Sequence, residues 1–200
     1  MKILGLTGPS GAGKTHFSFF LCSKGHPCIN ADELYHSMLI PPSTLLDAIR
    51  REFGDSFFKE NGELDRKALG RHVFSSSKNL ELLNATVLPL VTEKIQQIAN
   101  HYEKNGAKLL IIDAPTLFEA GYDKSCDITV SIIAPEQIRV ARIAERDKIS
   151  TEDAILRIKA QKDDSFYYQH SDRVIVNDSD KNALKQKADA LLNELIGDAL

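Results

Sequence analysis

Eight residues near the amino terminus, Gly8-Pro9-Ser10-Gly11-Ala12-Gly13-Lys14-Thr15, have the types and spacing G-x-x-x-x-G-K-[ST] that cradle the phosphates of a nucleoside triphosphate. Glycines let the chain turn tightly and bring backbone N–H groups within hydrogen-bonding distance of phosphate oxygens. A helix beginning near Gly13 adds the positive end of its dipole. Lys14 supplies a point charge for the outer phosphates, and the Thr15 hydroxyl is of the kind that ligates Mg²⁺. An apolar strand before the motif and a helix after it are the required context, and both are legible.

Further candidates lie elsewhere in the chain. Asp113 closes the apolar run Leu109–Ile112, where a carboxylate that holds Mg²⁺ directly or through water belongs. Capping the turn into Ala114-Pro115 is its structural alternative. In Asn30-Ala31-Asp32-Glu33, Asn30 suits a helix N-cap with Glu33 at the third helical position. Asp32 is left without an evident local duty at the carboxyl end of a strand, where it could accept the proton of an attacking hydroxyl. Its alternative is to favour the helix dipole. Arg139, Arg142 and Arg146 stand at i, i+3 and i+7, one helical face, and suit the spread charge of a transferring phosphoryl group. For Arg139 the plainer expectation is a solvated cation paired with Glu136 or Glu145. The six histidines show no metal-site spacing, and nothing resembles a Ser/His/Asp or Cys/His nucleophile system.

Positioning these residues requires an alternation of strands and helices. Lys2–Thr7, Pro27–Ile29, Lys108–Asp113, Asp127–Ile133 and Arg173–Val176 read as five short buried strands. Lys14–Lys24, Glu136–Arg146, Thr151–Gln161 and Lys181–Leu195 read as helices between and after them. Continuous apolar strands alternating with helices imply a parallel sheet covered on both faces. From Thr44 to about Asn105 the alternation breaks. Leu80, Leu83, Val87, Val91, Ile95, Ile98 and Tyr102 step by three and four, as one helical face does, and Pro89 should kink or split that helix. Residues 44–105 therefore read as a helical insert for a second substrate, with residues 1–43 and 106–200 forming the core.

The bulk numbers fit one such unit. Two hundred residues, 42% hydrophobic and 26% charged, describe a globular domain able to bury a sizeable core. A net charge of −3 gives no basic footprint for nucleic acid or membrane. Cys22, Cys28 and Cys126 have neither C-x-x-C nor metal-like spacing, and that sparse odd count fits a reducing cytosol. No signal-peptide pattern opens the chain, and the longest dense apolar stretch is far too short to span a bilayer. A cytoplasmic protein is the expectation, as a monomer or weak homo-oligomer.

Taken in order, these motifs resemble the dephospho-coenzyme A kinase family over nearly the whole length. The family's Asp-Ala-Asp element is similar to Asn30-Ala31-Asp32, and its Gly-x-x-x-Arg element to Gly62–Arg66, with Leu69 and Val73-Phe74 following. Its Asp-x-Pro-Leu-Leu-Phe-Glu element is similar to Asp113–Glu119. Its lid Arg-x-x-x-Arg matches Arg142 and Arg146, with a helix ending at Gln161, and its Ala-Asp-x-Val-Ile-x-Asn matches Ser171–Asn177. The resemblance implies an α/β P-loop NTPase fold, a three-layer αβα arrangement with a parallel five-stranded sheet, plus a helical substrate insert and a lid at about 139–165. It implies ATP and Mg²⁺ as cofactors and dephospho-coenzyme A as a small-molecule acceptor, phosphorylated at its ribose 3′-hydroxyl. Lys14, Asp32 and Arg142 would be catalytic. Gly11, Ala12, Gly13, Lys14, Thr15, His16, Arg146 and Asn177 would bind ATP. Asp32, Arg66 and Glu119 would meet the acceptor, and Thr15 and Asp113 the metal. The chain departs from the family pattern at Asn30, usually Asp, and at Leu88-Pro89, usually His-Pro; its P-loop is similar to that of uridine kinases. A kinase of another small hydroxyl acceptor, such as a nucleoside or nucleoside monophosphate, is the alternative. A guanine-nucleotide switch would need Asn-Lys-x-Asp, and the chain has Asn177-Asp178-Ser179-Asp180, which lacks the lysine.

Overall fold

Leu109–Asp113 is buried at every position, as a strand covered on both faces must be. It lies beside β1 in a sheet that organises the chain. In the computed structural model, which describes residues 1–197, the elements run β1 (Lys2–Thr7), α1 (Lys14–Cys22), β2 (Cys28–Asn30), α2 (Ala31–Met38), α3 (Thr44–Phe53), α4 (Arg66–Phe74), α5 (Ser77–Lys104), β3 (Leu109–Asp113), β4 (Ile128–Ile133), α6 (Glu136–Asp147), α7 (Thr151–Lys159), α8 (Asp164–His170), β5 (Arg173–Val176) and α9 (Lys181–Ile196). The five strands have the order β2-β3-β1-β4-β5. The ladders of β1 with β3 and β4, and of β4 with β5, are parallel. α-Helices lie between β1 and β2, β2 and β3, and β4 and β5, while β3 reaches β4 through turns and a short 3-10 stretch at Tyr122–Ser125. The sheet is the core of a P-loop NTPase-type αβα fold.

The core of that sheet is built by Leu4 and Leu6 of β1, Phe17 and Leu21 of α1, and Leu184, Ala188 and Leu191 of α9. Each fully buried Leu or Phe contributes roughly 1.5–3 kcal/mol, which seats α1 and α9 firmly on one face. The register sets Leu6 beside Asp113. The carboxyl ends of β1 and β3, with the loop that leaves β1, therefore meet at one end of the sheet.

The chain divides into two compact units, Met1–Ile29 with the chain from Tyr102 onward, and Asn30–His101. The second is helical. Ser43 caps α3 by accepting the Leu45 N–H, and Asp65 caps α4 by accepting the Ala68 N–H. Its core comprises Leu45, Leu46 and Ile49 of α3, Leu69 and Val73 of α4, and Val87, Val91 and Ile95 of α5. The Arg50 guanidinium lies 4.3 Å over the Phe58 ring. An open groove of about 580 Å³ between α3 and α5 is lined by Asp47, Arg51, Glu52, Leu82 and Pro89, among others.

Three features differ from the sequence expectations. Helix α5 runs unbroken for 28 residues with Pro89 inside it. The proline removes one hydrogen bond, a cost of about 3 kcal/mol, and burial of Val87, Val91, Ile95 and Ala99 along the same face outweighs it. Helix α8, too short for a clear apolar period, is set by Asp163, whose side chain accepts the Phe166 N–H. Cys22 and Cys28, six residues apart, are joined in a disulfide with Cα atoms 6.0 Å apart, leaving Cys126 free. The absence of a C-x-x-C pattern is no guide here, because a turn through Gly25 brings the end of α1 back to the start of β2. Among the described residues no helix is long and apolar enough to cross a membrane.

Candidate active site

The loop from Gly8 to Gly13 joins β1 to α1, and its backbone explains its glycines. Gly11 and Gly13 have φ of +78° and +99°. A Cβ at Gly13 would come 2.2 Å from Asn177 Nδ2, and one at Gly11 would come 2.8 Å from the Arg139 carbonyl oxygen. Gly13 is also the N-cap of α1, with no side chain capping the helix. The orphan N–H groups of the first turn stay available to an anion at the positive end of the dipole. Thr15 and His16 are exposed in that first turn. Lys14 Nζ donates to Asp113 Oδ1, and both side chains are largely buried. The lysine and the carboxylate expected to manage the outer phosphates and their metal are thus in direct contact.

The outer side of the loop is held through its carbonyls. Arg139 Nε donates to Ser10 O at 3.0 Å, Arg142 Nη1 to Gly11 O at 3.2 Å and Ala12 O at 3.4 Å, and Asn177 Nδ2 to Ala12 O at 2.8 Å. In a trans peptide the N–H points opposite to the preceding C=O. Fixing the Ser10 and Ala12 carbonyls on one side turns the Gly11 and Gly13 N–H groups to the other. The Ala12 N–H closes the turn on Pro9 O. Cations and an amide outside the loop thereby aim N–H groups inward, as a phosphate cradle requires.

Arg139 is the clearest correction. Read from spacing it is a solvated partner of Glu136 or Glu145; in the structure it is 4% exposed. Besides Ser10 O, it donates through Nη2 to Gln161 Oε1 at 2.9 Å, and Nη1 lies 3.9 Å from Asp164. Burial holds its guanidinium below the ordinary range, with Asp164, Tyr167 and Glu136 opposing. The helix approaches closely because Gly11 offers no side chain between the loop and the α6 backbone. Arg146 is more than half exposed, bonds the Asp147 carboxylate through Nε and Nη2 at 2.7 and 2.9 Å, and reaches Ser10 Oγ at 3.2 Å. The Asp147 contact holds its guanidinium above the ordinary range.

Glu119 is exposed after β3. With burial as the larger cause, its charge helps push the Tyr167 hydroxyl up to about 12. In the second unit, Asn30 caps α2 by accepting the Asp32 and Glu33 N–H groups at 3.1 and 3.2 Å. The Asp32 carboxylate is exposed in the first turn, and the cap is made without it. Arg66 is exposed at the start of α4, and its charge opposes the burial that raises the Tyr35 hydroxyl. One unit therefore brings together Lys14, Thr15, Asp113, Arg142, Arg146 and Asn177, while Asp32 and Arg66 belong to the other. Spacing alone missed Ser10 and Gln161. The signal for Gln161 was the family pattern, in which a glutamine follows the two arginines at the end of a helix; in the structure it lies two residues beyond α7.

A family model described as dephospho-CoA kinase matches residues 2–183. The chain is 34% identical to the dephospho-CoA kinase of Symbiobacterium thermophilum over 177 residues, covering 88% of this chain and 74% of that one. Among solved structures, a Thermus thermophilus protein aligns with a TM-score of 0.78 at 30% identity over 98% of both chains. The dephospho-CoA kinase of Campylobacter jejuni aligns with a TM-score of 0.70 at 27% identity over 97% of both.

Proposed function

Since the chain belongs to the dephospho-CoA kinase family, we propose that it transfers the γ-phosphoryl group of ATP to the ribose 3′-hydroxyl of dephospho-coenzyme A, yielding coenzyme A. The observation that carries this reading is the Lys14–Asp113 contact at the head of a loop whose carbonyls are gripped from outside. Such a loop needs little reorganisation to receive phosphates, and preorganised charge is the main source of rate in phosphoryl transfer.

The roles follow from the chemistry of each group. Backbone N–H groups of Gly11, Gly13, Lys14 and Thr15 receive the phosphates, with Ala12 shaping the turn and His16, whose N–H donates to Gly13 O, closing the first helical turn beside them. Lys14 leaves Asp113 for the outer phosphates as the negative charge there grows. Arg142 and Arg146 meet charge that develops during transfer, Arg142 with the guanidinium N–H groups left over from its carbonyl contacts. Asn177 acts on the nucleotide through the loop it braces. The Thr15 hydroxyl and the Asp113 carboxylate are hard oxygen donors that fit Mg²⁺, which when bound would neutralise charge between the outer phosphates. Asp32 orients the acceptor hydroxyl and takes its proton, and Arg66 and Glu119 contact the acceptor. We assign acceptor recognition to the helical insert of residues 44–105 and lid closure to residues 139–165.

The test is an acceptor panel with Mg·ATP: dephospho-coenzyme A against nucleosides and nucleoside monophosphates, with mass analysis placing the new phosphate. Dephospho-coenzyme A should be strongly preferred, and Asp32→Asn should lose roughly 10²–10⁴ in transfer while binding ATP normally. Preference for a nucleoside would overturn the acceptor, and Leu88, which stands where the family usually has His, would be the first residue to re-examine.

A further inference from the structure

Ser10 is held at three atoms by three different residues that follow β4. Its N–H donates to Gln161 Oε1 at 2.9 Å, its carbonyl accepts from Arg139 Nε at 3.0 Å, and its hydroxyl accepts from Arg146 Nη2 at 3.2 Å. The first two contacts form a closed unit, because Arg139 Nη2 also donates to the same Gln161 oxygen at 2.9 Å. Gln161 lies two residues beyond α7, and Arg139 belongs to α6. The Gln161 oxygen thus accepts two hydrogen bonds, one from the phosphate loop and one from the buried arginine that grips the same loop residue.

We propose that Gln161 and Arg139 are positioning residues for the nucleotide, fixing the Ser10 peptide frame and through it the inward aim of the Gly11 N–H. The physical basis is that both faces of one residue are constrained. With Ser10 N–H and C=O both engaged, the peptides on either side of it cannot rotate without breaking a hydrogen bond, and the Gly11 N–H, trans to Ser10 O, inherits that constraint. Glycine at position 11 would otherwise give the loop wide freedom. A loop that is already ordered loses less conformational entropy when it binds phosphate. Helices α6 and α7 are also in mutual contact through Ile143, Ala154 and Ile158, so the two tethering residues are held by one apolar cluster. Neither residue needs to touch the nucleotide.

This inference rests on the reading of residues 8–15 as the phosphate cradle, and the variants separate the two. Only the Gln161 oxygen is used, so Gln161→Glu keeps the acceptor while Gln161→Met removes it at similar length. Calorimetric titration with ATP is expected to show roughly tenfold weaker binding for Gln161→Met, because binding must then order a loop that two hydrogen bonds had held, and near wild-type binding for Gln161→Glu. In steady-state assays, KM for ATP should rise while KM for the acceptor and kcat hold within about threefold. A purely structural role would instead move all three together or lower the melting temperature in proportion. Amide hydrogen exchange supplies a measurement on the wild-type chain: the Ser10 N–H should be protected, and exposed in Gln161→Met. Rapid Ser10 exchange in the wild type, equal loss in the Met and Glu variants, or unchanged ATP affinity in Gln161→Met would each overturn the proposal. Should Gln161→Met fail to fold, the wild-type exchange measurement decides alone. Failure of the wild type to bind ATP would instead sink the cradle reading itself.

Discussion

The Lys14 ammonium bonds a nearly buried carboxylate, so its long side chain loses little further rotamer freedom when a phosphate draws it across. Lys14→Ala is expected to lower kcat by roughly 10²–10³, and it also strands Asp113 in a site where an unpaired buried charge costs about 3–5 kcal/mol. Turnover should therefore be measured beside a melting curve, and near-normal turnover in a folded variant would refute the role of the lysine. Among the arginines, Arg142→Ala and Arg146→Ala should depress kcat more than they raise KM for ATP, because they meet charge that exists only during transfer. A raised KM with unchanged kcat would show that Arg142 serves only as a carbonyl brace. At this scale the motifs picked out two residues far apart in sequence, Lys14 and Asp113, that the fold brings into contact. The sequence was silent where a role depends on burial, as at Arg139, since spacing on a helix gives the face a residue shares but not what that face meets.

The central strands β1, β3 and β4 were legible because each is a short apolar run buried over most of its length. The flanking β2 and β5, only partly buried, were still recovered to within a residue from their short apolar runs. Helix α5 was legible as a helix but not as a single one, because Pro89 speaks against continuity locally while tertiary burial decides it. Helix α8 carries its signal in one cap, Asp163, and in no apolar period. The Cys22–Cys28 disulfide ties the end of α1 to the start of β2. By closing a short loop it should stabilise the fold by roughly 2 kcal/mol, on the chain-entropy model. Urea unfolding with and without a dithiol reductant tests this: the oxidised chain should show one titratable thiol, Cys126, and a higher midpoint. Identical midpoints, or three free thiols in the oxidised chain, would refute the staple.

The molecule as a whole carries a net charge of −3, so its long-range field does not attract an anionic nucleotide or an anionic acceptor. Attraction must come from a few local cations, and composition alone could not say which ones face the ligand. Two classes of cation emerge. Arg146 is largely exposed and acts through a field that dissolved ions can screen, whereas the largely buried Lys14–Asp113 pair is screened less. Arg139 is enclosed, and its partners at hydrogen-bond distance are a backbone carbonyl and an amide oxygen. Ionic strength therefore divides the two contributions. Raising salt from about 0.1 M to about 0.5 M shortens the screening length from roughly 10 Å to a few ångströms, and ATP affinity should fall for every form of the protein. The ratio between wild type and Gln161→Met should stay constant across that range, because the enclosed guanidinium does its holding where counter-ions do not penetrate.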